Sequence, residues 1–253
     1  MTFACDGSAL AGTIDPAPSS TGLIIVSGGN EIRSGSWAGQ ALLATRIAAG
    51  GHPVLRFDRR GVGDSEGDNR GFRSSAKDLA AAIEAFTEHQ PQLRRIVAFG
   101  NCDAASGLAL FAAEAGLDGL VLANPWTLEG DDTAVSPAAV RRRYWARLSD
   151  LRQLRRLFTG GVDLGKVARG LKSAVARSPE STLAAEMRER LSRFGGRATI
   201  LLAERDRTAE LFLAVWDDAT TPIERCLSAS HSFAEGAAFD WLTERVLAAL
   251  ARE

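Results

Sequence analysis

The sequence predicts an α/β fold, a mostly parallel sheet flanked by helices, with one helical insertion. Short apolar, β-rich runs alternate with helix-compatible segments up to residue 125 and again from residue 196, which is typical of βαβ units. Between them, residues 126–195 contain no convincing strand and are rich in Ala, Leu and Arg. We therefore predict a core formed by residues 1–125 and 196–253, and a helical cap formed by residues 126–195.

The first elements are two short strands, 2–5 and 9–14, and the turn at Asp6-Gly7 between them predicts an antiparallel hairpin. The run Leu-Ile-Ile-Val at 23–26 is continuously apolar, as expected for a strand buried on both faces of a parallel sheet. Further strands are expected at 53–57, 96–99, 119–123, 198–203 and 224–227.

Helices fill the intervals between these strands. A segment beginning at Ser74 or Ser75 and ending near residue 88 has a serine cap and an apolar face of Leu79, Ile83 and Phe86. The other helices are expected at 37–49, which Gly50-Gly51 ends, and at 104–112, 208–216 and 239–251.

Composition limits the class of protein. The chain has 253 residues and a formal net charge of -1, which suits one sizeable domain and argues against a general nucleic-acid binder. Three cysteines give no disulfide framework and favour a reducing compartment. The N-terminus has no basic region followed by an apolar core, and no apolar run could span a bilayer. We expect a cytoplasmic protein, and its oligomeric state stays open.

The candidate nucleophile lies between the strand at 96–99 and the helix at 104–112. Gly100 and Asn101 end the strand, and Cys102 follows at the apex of a sharp turn. The pattern G-x-C-x-A is a variant of the G-x-S-x-G nucleophile elbow, which needs small residues on both sides of a strained apex. The alternative is a buried core cysteine, which is common for this residue type.

A thiol needs a base, and a histidine base usually needs a carboxylate partner. Of the three histidines, only His231 lies in a loop at the carboxyl end of a strand, where Cys102 also lies. Asp206 is the preferred carboxylate because it lies beyond the end of a strand; its alternative role is a helix N-cap. Glu204 is the rival acid, and weaker ones are Asp217 and Asp218.

An acyl intermediate also needs backbone donors for its oxyanion. We expect one from the N–H of Asp103, after the nucleophile, and one from the loop after the first buried strand, at Gly29 or Asn30. The Asp103 carboxylate would disfavour a thiolate, so it should point away or bind a cation such as an arginine. The glycine-rich loop at 58–67 lacks the lysine of a phosphate-binding loop, and no cluster has metal-ligand spacing. We expect no cofactor and no metal.

These segments together resemble the α/β-hydrolases over nearly the whole chain: the GGN loop, DRRGVGDSEG, the elbow, the ERD segment and the final SHSF. More narrowly, FDRRGVGDSEG with GNCDAAS is similar to the exosortase A system-associated hydrolases of type 1, which are encoded beside exopolysaccharide and protein-sorting genes in bacteria. The resemblance implies an eight-stranded sheet, with Cys102, Asp206 and His231 in the triad positions. Two departures from the general pattern are Cys for the usual Ser and Ala104 for the second Gly.

The predicted function is hydrolysis of a thioester, ester or lactone through an acyl-enzyme on Cys102. An acyltransferase with the same triad is the near alternative. A non-catalytic binding protein is the alternative from another class. Eleven Arg and Lys residues lie between residues 141 and 177 against two Asp, so either an acyl substrate or a ligand held there should be anionic.

Overall fold

The computed structural model describes residues 1–128 and 181–252, so most of the predicted cap, residues 129–180, lies outside the described residues. The strands are β1 (Thr2–Cys5), β2 (Ser8–Asp15), β3 (Thr21–Val26), β4 (Val54–Phe57), β5 (Arg95–Asn101), β6 (Gly119–Ala123), β7 (Arg197–Ala203) and β8 (Ile223–Cys226). The helices are α1 (Gly39–Ala49), α2 (Ala76–His89), α3 (Asp103–Phe111), α4 (Thr182–Ser192), α5 (Arg207–Val215) and α6 (Gly236–Ala251). Short 3₁₀ turns cover Ser36–Ala38 and Phe72–Ser74.

The strands form one sheet of eight in the order β1-β2-β4-β3-β5-β6-β7-β8. β1 and β2 pair antiparallel with their neighbours, and all later pairs are parallel. The predicted mostly parallel, eight-stranded sheet with flanking helices is confirmed. Asn101 at the end of β5 is in register with Ala123 at the end of β6, so the loops that follow these strands meet at one edge.

Both faces of the sheet are covered. In β3, Ile24 and Val26 belong to the core on one side, whereas Leu23 and Ile25 belong to the core on the other. Successive side chains of a strand point to opposite faces, so a continuous apolar run is required here. The first core is closed by α2, α3, α4 and α5, and the second by α1 and α6.

The described end of the predicted cap packs on the core. Leu183 and Met187 of α4 are fully buried in the same cluster as Ala105 and Leu108 of α3. Within the described residues, no helix is both long enough and apolar enough to cross a membrane.

The described residues on either side of the segment 129–180 lie close together. Ser106 Oγ donates to the carbonyl of Trp126 at 2.6 Å, and the N–H of Trp126 donates to the carbonyl of Cys102 at 3.2 Å. Ser181 Oγ donates to the carbonyl of Thr127. The residues that flank this segment are therefore joined to each other and, through Trp126, to the start of α3.

Candidate active site

Cys102 occupies the sharp turn between β5 and α3 in a strained conformation. Its φ is 60° and its ψ is -126°, a region that costs a non-glycine residue about 1–3 kcal/mol. Its N–H is bound to the carbonyl of Ala123 at 3.0 Å. A Cβ on Gly100 would lie 2.9 Å from both the carbonyl carbon of Ala104 and a methyl group of Leu108. Strand and helix thus pack tightly at the elbow, and only glycine fits at residue 100.

The three cysteines differ in exposure. Cys102 is partly exposed, whereas Cys5 and Cys226 are buried. The alternative of a buried core cysteine therefore describes Cys5 and Cys226 but not Cys102. Ala104 is 2% exposed and its Cβ is accommodated, so a second glycine is not needed for the turn to close.

His231 contacts the carboxylate that the sequence favours. Its Nδ1 lies 2.8 Å from Oδ2 of Asp206. The other carboxylate oxygen of Asp206 accepts the N–H of Thr208 at 3.1 Å and caps α5. Asp206 thus serves both as an N-cap and as the partner of His231. The rival Glu204 is exposed, and Asp218 instead accepts hydrogen bonds from Thr220 and Thr221.

The electrostatic environment of His231 favours its protonated form. The hydrogen bond to Asp206, and then that to Cys102, raise the pKa of His231 to about 10, although burial acts in the opposite direction. Both the Asp206 carboxylate and the Cys102 thiol therefore act on the same imidazole. An imidazole in this position can hold a proton while negative charge develops on the sulfur.

The other two histidines lie elsewhere. Nδ1 of His52 is 2.9 Å from the carbonyl of Thr21, at the opposite edge of the sheet. Nδ1 of His89 is 2.9 Å from the carbonyl of Ala85 in its own helix. Neither reaches the elbow, as the order of elements predicts.

A pair of asparagines, Asn101 and Asn124, which sequence reasoning missed, holds the backbone of His231. Asn124 is fully buried, and its Nδ2 donates to Oδ1 of Asn101 and to the carbonyl of His231, each at 3.1 Å. Its Oδ1 accepts the N–H of Ala203 at 2.8 Å. Asn101 Nδ2 donates to the same His231 carbonyl at 3.0 Å. The ends of β5, β6 and β7 are thereby joined to the histidine loop. The only signal in the sequence is an Asn-Pro pair directly after a strand.

The loop Gly28–Asn30, hereafter the glycine loop, lies against the elbow. A Cβ on Gly28 would lie 2.6 Å from the carbonyl oxygen of Asn101 and 3.6 Å from Cβ of Cys102. The N–H of Gly29 donates to Oδ1 of Asp103 at 2.6 Å. Of the predicted oxyanion residues, Gly29 therefore contacts Asp103, which directly follows Cys102.

Arg59 completes this corner of the site. Its Nη2 lies 3.4 Å from Oδ2 of Asp103 and also donates to the carbonyl of Gly29. Arg59 is 4% exposed, and its Nη1 has no partner within the described part of the chain. The Asp103 carboxylate binds a cation, as the sequence argument expects.

The rest of the glycine-rich loop at 58–67 has a structural role. Asp58 is fully buried and accepts hydrogen bonds from the backbone and guanidinium of Arg33 and from the N–H of Asp64. These bonds fix the turn beside the glycine loop. Across residues 1–128 and 181–252, no group of three His, Cys, Asp or Glu side chains is placed to hold a metal ion.

A model described as "Alpha/beta hydrolase family" matches residues 23–245 of this chain. No curated protein matches the sequence.

Solved structures with the same fold have low sequence identity. Est1E from Butyrivibrio proteoclasticus with ferulic acid bound has a TM-score of 0.63 at 14% identity, with 100% of both chains covered. Esterase Pf2001 of Pyrococcus furiosus has a TM-score of 0.64 at 16% identity, covering 99% of this chain and 88% of that one. The hydrolase GrgF from Penicillium sp. sh18 has a TM-score of 0.65 at 16% identity, covering 99% and 96%. At these identities the likeness concerns the fold alone.

Proposed function

This chain belongs to the alpha/beta hydrolase family, and from that membership we propose that it cleaves a carboxylic thioester, ester or lactone through an acyl intermediate on Cys102. The observation that carries the proposal is the hydrogen bond of His231 to Asp206, made by a histidine whose pKa the Cys102 thiol also raises. A partly exposed thiol with this partner, at a strained turn, has the arrangement required of an activated nucleophile.

In the proposed first half-reaction, the Cys102 sulfur attacks the acyl carbon as a thiolate. His231, with a pKa near 10, carries a proton at neutral pH and gives it to the departing oxygen or sulfur. The carbon–leaving-group bond breaks as the new carbon–sulfur bond is completed. The products of this step are the acyl thioester of Cys102, a neutral imidazole and a free alcohol or thiol.

In the second half-reaction, neutral His231 takes a proton from water while the hydroxide attacks the acyl thioester. Collapse of that intermediate expels the Cys102 thiolate and releases the carboxylic acid. The imidazolium and thiolate are thereby restored. Asp206 keeps Nδ1 of His231 protonated, so the other ring nitrogen faces the reacting atoms.

The class of acyl substrate that suits this site follows from the reactivity of a thiolate nucleophile. A thiolate attacks soft acyl carbons well, and its acyl-enzyme is itself a thioester, so a thioester or lactone suits this site better than an amide. If a sugar hydroxyl replaced water, the same residues would perform acyl transfer. The basic residues at 141–177, which lie outside the described residues, favour an anionic acyl substrate. The resemblance of FDRRGVGDSEG and GNCDAAS supports a cytoplasmic role beside a bacterial exopolysaccharide and exosortase system.

The test is a panel of acyl thioesters, aryl esters and lactones, run on the wild-type protein and on Cys102→Ala. Iodoacetamide labelling runs in parallel, with His231→Ala as the variant that lacks the proton carrier. We expect turnover that Cys102→Ala abolishes, and Cys102 labelling that is fast and depends on His231. A Cys102 that reacts no faster than Cys5 or Cys226, with no turnover, would favour a non-catalytic binding protein instead.

A further inference from the structure

We propose that the side chains of Asp103 and Arg59 fix the glycine loop (Gly28–Asn30), and that the N–H of Asn30, rather than that of Gly29, is the loop's oxyanion donor. This inference rests on the proposed function, because an oxyanion forms only if acyl chemistry takes place at Cys102.

Both backbone groups of Gly29 are already occupied. Its N–H donates to Oδ1 of Asp103 at 2.6 Å, and its carbonyl accepts from Nη2 of Arg59. The same guanidinium nitrogen lies 3.4 Å from Oδ2 of Asp103. The three residues thus form a closed ring of charge-assisted hydrogen bonds, a strong class of interaction. A substrate oxygen would have to displace a carboxylate to use the Gly29 N–H.

The N–H of Asn30 is free to donate. In a trans peptide the C=O and the following N–H point in opposite directions. Because Arg59 holds the carbonyl of Gly29, the N–H of Asn30 points away from the guanidinium. No group in the described part of the chain accepts a hydrogen bond from this N–H. The N–H of Asp103, in the first turn of α3, likewise has no partner there.

Further contacts hold Asn30 in this orientation. The N–H of Glu31 donates to the carbonyl of Gly28 at 3.0 Å, which closes a turn with Gly29 and Asn30 at its centre. Gly29 has a φ of 54°, a value that glycine adopts at little cost. The side chain of Asn30 accepts from Nδ2 of Asn69 at 2.8 Å. A donor fixed before the reaction needs no reorganisation when the oxyanion forms.

Arg59 also removes an electrostatic penalty. The Asp103 carboxylate lies beside Cys102, where an unpaired negative charge would oppose an oxyanion. Arg59 is buried, so its charge is poorly screened by solvent and offsets that of Asp103. Asp103 and Arg59 are therefore positioning residues, and the atoms that contact the oxyanion are backbone nitrogens.

The experiment separates acylation from alkylation of the same sulfur. p-Nitrophenyl acetate acylates Cys102 through an oxyanion, and the p-nitrophenol burst reports the rate. Iodoacetamide forms a carbon–sulfur bond and displaces iodide, with no oxyanion. We expect Asp103→Ala to slow the burst by about 10- to 100-fold and to leave the alkylation rate within about threefold of wild type. Asp103→Asn keeps an acceptor for Gly29, so its burst should be slowed less.

Asn30→Pro tests the donor itself, because proline has no N–H. We expect it to slow the burst by at least about 100-fold, as loss of one oxyanion donor does, again with alkylation retained. Asp15→Ala is the matched control. It breaks the ion pair between Arg56 and Asp15, which is 3.2 Å long and partly buried like that of Arg59, but at the antiparallel end of the sheet. Both rates should stay at wild-type values.

Three results would overturn the inference while leaving the proposed function intact. An Asp103→Ala burst as fast as that of wild type, or faster, would mean that the carboxylate only obstructs the Gly29 N–H. Retained acylation in Asn30→Pro would exclude its N–H as the donor. A parallel fall in acylation and alkylation in Asp103→Ala and Asp103→Asn would place their effect on the sulfur and also overturn it. A wild-type protein with no burst and no preferential labelling of Cys102 would overturn both proposals.

Discussion

Asp206→Asn removes the charge of one carboxylate together with its hydrogen bond to His231. An asparagine has the same shape, and its side-chain oxygen can still accept the N–H of Thr208, which lies 3.1 Å from Oδ1. The N-cap of α5 should therefore survive. The lost features are the acceptor oxygen 2.8 Å from Nδ1 of His231, whose hydrogen bond is the largest cause of the raised pKa of that histidine, and the carboxylate charge, which is a smaller cause.

The size of the effect follows from the pKa. At pH 8 a histidine whose pKa is about 10 is almost wholly protonated. A histidine near its ordinary value of about 6.5 is protonated in only about 3% of molecules. Complete loss of the shift would thus reduce the imidazolium population about thirtyfold. Because the hydrogen bond to Cys102 also raises the pKa, we expect about a tenfold slower alkylation of Cys102 in the variant.

The assay is the rate of iodoacetamide labelling at pH 8, followed peptide by peptide by mass spectrometry. Buried Cys5 and Cys226 serve as internal references, and urea unfolding checks that the fold is retained. NMR titration of His231 should show a lower pKa in the variant. Equal labelling rates in the two proteins, with both folded, would refute the claim that Asp206 sets the charge state of His231.

Three further predictions concern the packing, strain and pH response around the site. Gly28→Ala should lower aryl-ester turnover at least about tenfold, since its Cβ would lie 2.6 Å from the Asn101 carbonyl; Gly195→Ala, with open space around it, should have no effect. Asn124→Ala should lower the free energy of unfolding by about 2–4 kcal/mol, and Asn124→Gly by about 1 kcal/mol less, because Asn124 has a φ of 42°; urea titration measures both. The raised pKa of His231 stabilises the fold fully below about pH 6.5, and this contribution is lost as pH rises through about 10. The stability gap between wild type and Asp206→Asn should therefore shrink from pH 6 to pH 10.5.

The predicted sheet agrees closely with the structure because its signal is local. Apolar runs such as 23–26 and 119–123 must be buried on both faces, and turn residues follow each of them. Element ends are less predictable. The first helix was expected from residue 37 but begins at Gly39, because Trp37 and Ala38 have positive φ values of 47° and 63°. No pattern in the residue types indicates that strain.

From the sequence, we could predict only those residues of the candidate site that lie just after the end of a strand. Cys102, Asp206 and His231 each lie beyond the end of a strand, and parallel strands bring those ends together. The contacts of Asn124 and Arg59 could not be found, because they depend on the register of strands far apart in the chain. The predicted boundaries of the cap, 126–195, stay a prediction, since residues 129–180 lie outside the described residues.

The junction at Thr127 and Ser181 has a consequence for how this protein can diversify. Entry and exit of the intervening segment are joined by a hydrogen bond, and closely spaced ends are where folded domains best accept replacement sequence. A replacement segment of different length and charge could be inserted between Thr127 and Ser181 without distorting the sheet. At the point of attachment, the N–H of Trp126 would still donate a hydrogen bond to the carbonyl of Cys102. The sequence between Thr127 and Ser181 can thus be exchanged as a module, while the turn at Cys102 keeps its support.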